Sequence, residues 1–206
     1  LKRLQRNPEI KLGVHTIHQA NLPPDTTQPS LLETLLAWAN SHGHEHIAEL
    51  GERYLHTSPI ATTLVLPGPT GERNELSFAP RGTVLCAATR VDALLNQLIA
   101  VLATDNIPAI ASTAARLIPS GLPAEVQSKI VLIDQLETAQ LDFALVESAC
   151  IAEIRPLLAK RDGAIIGVIE TKAELPIPLW RLVAERATCV NTTAAGGNAS
   201  LMTLGT

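Results

Sequence analysis

The sequence predicts an α/β fold: a doubly wound, mostly parallel Rossmann-like sheet preceded by a helical N-terminal segment and a β-hairpin. Three observations carry this. From Thr83 onward, short and nearly continuous apolar runs alternate with helical stretches, as expected of strands covered on both faces. Apolar residues fill 46% of 206 positions, enough for a sizeable core, and are mainly Leu, Ala, Ile and Val; the aromatic residues are Trp38, Tyr54, Phe78, Phe143 and Trp180. Ahead of Thr83, a β-branched run, a Pro-Gly cluster and a second short run read as a hairpin.

Taken in order, residues 1–60 read as a helical, rather polar segment interrupted by the turn-rich linker "NLPPDTTQPS" (21–30). Ser30 then opens "SLLETLLAWAN", with Glu33 three residues on to complete a capping box and Leu31, Leu35 and Trp38 on one face. Residues 61–80 form the hairpin flap. Residues 81–188 form the Rossmann-like domain: strand "TVLCAA" (83–88), helix "VDALLNQLIAVLA" (91–103), strands "IPAIAS", "KIVLID" and "FALVES", helix "ACIAEIRPLLAKR", strand "GAIIGVIET", helix "IPLWRLVAER" and a sixth strand "ATCVNT". Residues 189–206 form a C-terminal motif or tail. That tail has no charge from Asn191 to Thr206, whereas solvated tails are usually charged, so it is expected to lie bound against another surface.

Composition excludes several functions. Net charge is -4 and the basic residues are scattered, which argues against nucleic-acid binding. No apolar run approaches the roughly 20 residues of a membrane span, and no signal peptide is evident, so the cytoplasm is the expected location. Cys86, Cys150 and Cys189 are odd in number and far apart, as reduced thiols are. The chain opens on Leu1 without a methionine, as expected of a fragment cut from a longer polypeptide.

A Rossmann-like sheet raises the question of a nucleotide. The first strand-to-helix turn answers against one: "TVLCAA" runs into "TRVDALL", with Arg90 and Val91 where a dinucleotide site places Gly-x-Gly-x-x-Gly. Asp92 is expected to cap the helix and to repel a phosphate. His42, His44 and His46 alternate and His15 and His18 are three apart, but no carboxylates or thiols gather to complete a metal shell, and solvated imidazoles are expected. Among the cysteines, Cys150 has the best position for a nucleophile, at the turn "VESACIAE" just after Glu147; Cys86 and Cys189 are expected to pack inside strands. The loop of Gly68, Pro69, Thr70, Gly71, Glu72, Arg73 and Asn74 reads either as a recognition turn, with Arg73 reaching a carboxylate, or as a plain hairpin tip.

Three stretches, "LPGPTGERN" (66–74), "PRGTVLCAA" (80–88) and "CVNTTAAGGNASLMTLG" (189–205), resemble the C-terminal region of the proline utilization A family of bifunctional bacterial flavoenzymes. The resemblance implies an upstream FAD-dependent proline dehydrogenase module and an NAD-dependent glutamate semialdehyde dehydrogenase module in the same polypeptide. It further implies that this segment is the extra aldehyde dehydrogenase-like domain of the longer members, with no catalytic, cofactor-binding or metal-binding residue of its own. On this reading it is a lid over the cavity joining the two active sites, in a cytoplasmic enzyme peripheral at the inner membrane. The sealing contacts would come from Asn191, Thr192, Ala194, Ala195, Gly196, Gly197, Asn198, Ala199, Ser200, Leu201 and Met202: small residues for close approach, amides and hydroxyl for hydrogen bonds, apolar anchors at the end. Two alternatives stand beside it: a residual dinucleotide site, and a homodimerisation module whose hairpin (62–78) adds to a partner's sheet.

Overall fold

The computed structural model describes residues 17–19 (as backbone), 30–69 and 71–191. The chain divides into two compact units, one of Leu1–Asn21, Ala61–Phe78 and Glu185–Thr206, the other of Leu22–Ile60 and Ala79–Ala184.

The smaller unit is an antiparallel sheet. Strand β1 (Ile17–Gln19) pairs with β2 (Thr62–Leu66), β2 pairs with β3 (Glu72–Pro80), and β9 (Val183–Asn191), the last of nine described strands, completes the order β1-β2-β3-β9. Register places Leu64 opposite Leu76 and Val65 opposite Glu75, so Leu64, Leu66 and Leu76 share one face while Thr63, Val65, Glu75 and Ser77 share the other. The predicted hairpin is present, but it is flanked on both sides. A partner strand would have to join β1 or β9, which corrects the expectation that the hairpin itself adds to another sheet.

The larger unit holds the parallel sheet. Helix α1 (Leu31–Ser41) starts at the predicted capping box: Glu33 N–H donates to Ser30 Oγ at 3.2 Å and Ser30 N–H donates to Glu33 Oε2 at 2.7 Å, worth about 1 kcal/mol. Gly43, at φ +80°, turns the chain into α2 (Glu45–Thr57). Strand β4 (Thr83–Ala87) leads to α3 (Val91–Leu102), then β5 (Ile107–Ala111), the short α4 (Ala124–Gln127), β6 (Val131–Ile133), β7 (Phe143–Glu147), α5 (Ile151–Ala159) and β8 (Gly167–Thr171). All neighbours in the order β6-β5-β4-β7-β8 are parallel.

Alternate residues of each strand feed opposite cores. Val84, Cys86, Ile110, Leu145 and Ile169 pack with α1, α2 and α3, while Leu85, Ala109, Ala144 and Val146 pack with Leu158 of α5. Helix α3 lies between the sheet and the α1–α2 pair, and every residue from Ala93 to Leu102 is buried. Both faces of the sheet are covered, and the predicted doubly wound α/β class is observed.

Three local expectations fail. Residues 177–186 are not a helix: Pro176 and Pro178 deny it a regular start, a single 3-10 turn forms at Leu179–Arg181, and the chain extends into β9. The predicted sixth parallel strand is the end of β9, so the parallel sheet has five strands among the described residues. Segment 17–19 is a strand within the stretch expected to be helical, because its partner lies in residues 62–64 and local periodicity cannot report a long-range pairing.

Candidate functional site

In sequence order the parallel strands lie third, second, first, fourth, fifth, so the winding reverses between β4 and β7. This topology places its ligand crevice outside the carboxyl ends of those two strands, against the first turn of the first helix. In this chain the crevice lies between Ala87–Arg90 and Glu147–Cys150.

Glu147 ends β7 and is 3% exposed. Its Oε2 accepts from the Thr89 backbone N–H at 2.6 Å and from the Thr89 hydroxyl at 2.8 Å, and its Oε1 accepts from Arg90 Nε at 3.1 Å. Burial by itself would raise the carboxyl's pKa, but the bonds from Thr89 and the Arg90 guanidinium outweigh it and hold the group below its ordinary range. Arg90 is held charged in return and also reaches Glu174 at 3.5 Å.

The rest of the crevice is equally occupied. Gln97, fully buried, donates through Nε2 to the Ala87 carbonyl at 3.1 Å and to Thr171 Oγ1 at 2.9 Å. Ser148 donates to the Thr171 carbonyl at 3.3 Å. Cys150 directs its thiol at the carbonyls of Ala87 and Glu147, at 3.6 and 3.4 Å, and burial together with the Glu147 charge pushes its pKa up. A thiol held protonated is the reverse of an activated nucleophile. At this turn a dinucleotide pyrophosphate would meet the Glu147 carboxylate where it needs donors.

Asp92 neither caps α3 nor points into the crevice. The N-cap position is Arg90, with no side-chain capping bond, and Asp92 accepts instead from His44 Nδ1 at 2.9 Å, with His46 Nε2 at 4.0 Å from its other oxygen. His42 and His46 are exposed, as expected of solvated imidazoles, whereas His44 is half-buried. His42 and His44 stack on the Trp38 indole at 4.8 and 5.6 Å between centroids, and His42 Nδ1 donates to the Trp38 carbonyl at 2.8 Å. No group of three or more metal-ligating side chains forms among the described residues. His15 and the side chain of His18 lie outside them.

Cys86 is buried, as expected, whereas Cys189 is exposed on β9 and does not pack in a core. In the hairpin loop, Gly71 takes φ +91° and Glu72 N–H closes the turn onto the Pro69 carbonyl at 3.1 Å. Arg73 donates from Nε to Glu75 at 2.7 Å, so its charge is met inside the same strand. Thr70 lies outside the described residues, as do Thr192, Ala194, Ala195, Gly196, Gly197, Asn198, Ala199, Ser200, Leu201 and Met202; Asn191 is the last residue of β9. No helix among the described residues is long and apolar enough to cross a membrane.

The residue that the sequence reading passed over is Glu147, noted there only as a neighbour of Cys150. The available signal was an acidic residue closing an otherwise apolar strand, "FALVE", at the end of the sheet where the first helix begins.

No protein-family model matches the chain. Curated relatives do. The chain is 38% identical over 215 residues to the bifunctional protein PutA of Escherichia coli, covering 98% of this chain and 16% of the relative. It is 35% identical to that of Klebsiella aerogenes (94% and 15%) and 32% identical to that of Rhizobium meliloti (87% and 15%). The chain thus spans about a sixth of the length of the curated relatives it matches. Among solved structures, similarity extends to a variant of Bradyrhizobium japonicum proline utilization A (TM-score 0.47, 17% identity, 68% of this chain and 19% of that one). It extends also to Bdellovibrio bacteriovorus proline utilization A inactivated by N-propargylglycine (0.49, 13%, 68% and 20%) and to the substrate-bound Staphylococcus aureus AldH (0.48, 15%, 67% and 39%). With relatives at 32–38% identity along 87–98% of its length, the chain is a segment of a protein of the PutA family.

Proposed function

We propose that this segment is the noncatalytic C-terminal lid and assembly domain of a cytoplasmic enzyme that oxidises proline to glutamate. The FAD-dependent proline dehydrogenase and the NAD-dependent glutamate semialdehyde dehydrogenase then reside in the remainder of the polypeptide, which is the partner of this segment. The observation that carries the reading is the crevice at β4 and β7: Glu147, Gln97 and Cys150 fill the place where this fold would otherwise work on a nucleotide. A domain that keeps the sheet and fills the site is suited to shape and contact.

Exposed apolar surface supports the assembly role. Trp180 is 70% exposed and Leu175 53%, beside Pro176 and Pro178, a patch suited to burial against another module. In the tail, Ala194, Ala195, Gly196, Gly197, Ala199 and Ser200 would allow close backbone approach and Leu201 and Met202 would anchor it. A lid of this kind keeps a small intermediate at high local concentration between two sites and needs no catalytic side chain.

The test is the time course of NADH formation when the complete enzyme is fed proline, with and without residues 191–206. A lag confined to the shortened enzyme, with flavin reduction unchanged, is the expected result. Identical time courses would refute the lid.

A further inference from the structure

The donors around Glu147 form a set normally met around a bound anion. A backbone N–H and a hydroxyl, both of Thr89, meet one oxygen of the Glu147 carboxylate and the guanidinium of Arg90 meets the other, at the head of α3, a twelve-residue helix whose dipole adds positive potential there. Both carboxylate oxygens are engaged, the carboxylate belongs to the strand across the switch point, and it is 3% exposed. In its strand order and its donor chemistry this is an anion seat; in its occupant it is not a ligand site.

We infer that Glu147 is a built-in anion, occupying from within the chain the seat in which this strand order would hold a phosphate group, and that without its carboxylate the same donors bind a tetrahedral oxyanion. The alternative origin of the arrangement, a surface ion pair that happens to lie at the switch point, does not account for Thr89. An exposed pair would be solvated on both sides, whereas Thr89 commits both its amide and its hydroxyl to one buried oxygen. Nor does a structural brace alone require an acceptor with the charge of a phosphate. A carbonyl or an amide oxygen would satisfy Thr89 but would leave Arg90 Nε with a neutral partner.

The inference is independent of the lid, because neither the tail nor channelling enters it. Its test uses the complete polypeptide and a local readout: amide hydrogen exchange of the peptide spanning residues 88–94. In Glu147→Ala, exchange at Thr89 and the first turn of α3 is expected to rise about tenfold or more. Millimolar inorganic phosphate should restore protection saturably, and chloride at equal ionic strength should not. The unaltered protein should show no phosphate response in this peptide, since its seat is filled. Glu147→Gln, which keeps a side chain in the seat, should respond less than Glu147→Ala. If Glu147→Ala fails to fold in chloride, it should fold in phosphate, and failure in both overturns the inference. So does an Ala variant indifferent to phosphate, one protected equally by chloride, or an unaltered protein protected by phosphate to the same degree.

Discussion

Asn106 offers the sharpest test of how the larger unit is held together. It is 4% exposed, and its side chain makes four hydrogen bonds: Nδ2 donates to the Thr104 carbonyl at 3.2 Å, to Thr104 Oγ1 at 2.8 Å and to the Leu182 carbonyl at 2.8 Å, while Oδ1 accepts from Gly82 N–H at 2.8 Å. It thereby ties the residue before β4 to the residue before β9 from a position just ahead of β5. Asn106→Leu keeps the volume and removes all four bonds. The threonine hydroxyl retains its bonds to the Ala100 and Val101 carbonyls, so the groups left without this partner are chiefly Gly82 N–H and the Leu182 carbonyl. Two orphaned buried groups cost about 1–3 kcal/mol each, and the added apolar surface returns about 1–2 kcal/mol, for a net loss of about 2–3 kcal/mol. Urea unfolding followed by the fluorescence of Trp38 and Trp180, both in this unit, should show the midpoint falling by about 1–1.5 M at unchanged slope. A shift below about 0.3 M would show that Asn106 is a bystander and that the chain ends it bridges are held by packing alone.

Because the Glu147 carboxyl titrates below its ordinary value of 4.5, its contribution is complete above that pH and is lost as pH falls through the lower, folded-state value. Glu147→Gln should therefore cost about 2–4 kcal/mol near neutrality and progressively less in acid, read from denaturant midpoints across pH; a pH-independent difference would contradict the assignment. Tyr54, the sole tyrosine of the chain, has its phenol pushed up to about 12 by burial, and its hydroxyl donates to Asn96 Oδ1 at 3.1 Å and accepts from Ile177 N–H at 2.6 Å. Alkaline absorbance titration should show no tyrosinate until the unit opens, and Tyr54→Phe should lower stability by about 1–3 kcal/mol. Thiol alkylation should modify exposed Cys189 at once, half-buried Cys150 slowly, and Cys86, whose burial raises its pKa steeply, only on unfolding; early labelling of Cys86 would contradict the packing of β4.

The parts of the fold legible in the sequence were those whose signal is local. Each strand of the parallel sheet is a short apolar run, and the Ser30–Glu33 pair announces the start of α1. What could not be read depended on partners far along the chain. Residues 187–191 read as a sixth strand of the parallel sheet and 183–186 as the end of a helix, yet both belong to β9 of the antiparallel sheet, and 17–19 become a strand through pairing with 62–64. The candidate site failed for the same reason in sharper form. Asp92 stands where a cap is expected but is drawn off by His44, 48 residues earlier, and the anion at the head of α3 arrives from Glu147, 58 residues after Thr89. The missing glycines were visible in the sequence; what fills their place was not.

The fastening of α2 and α3 to residues 172–182 bears on how the chain is made. Synthesis delivers Tyr54 and Asn96 before the groups they hold, Ile177 N–H and the carbonyls of Lys172, Ala173 and Leu175, and Asn106 likewise awaits Leu182. Until β7 and β8 emerge, α3, buried from Ala93 to Leu102 in the folded unit, can be covered by α1 and α2 on one flank while its sheet-facing flank is incomplete. A nascent chain stalled before residue 143 would therefore present part of that apolar flank to the cell's chaperones. A nick within 172–182 would be felt far away in the sequence, in α2 and α3, through Tyr54 and Asn96.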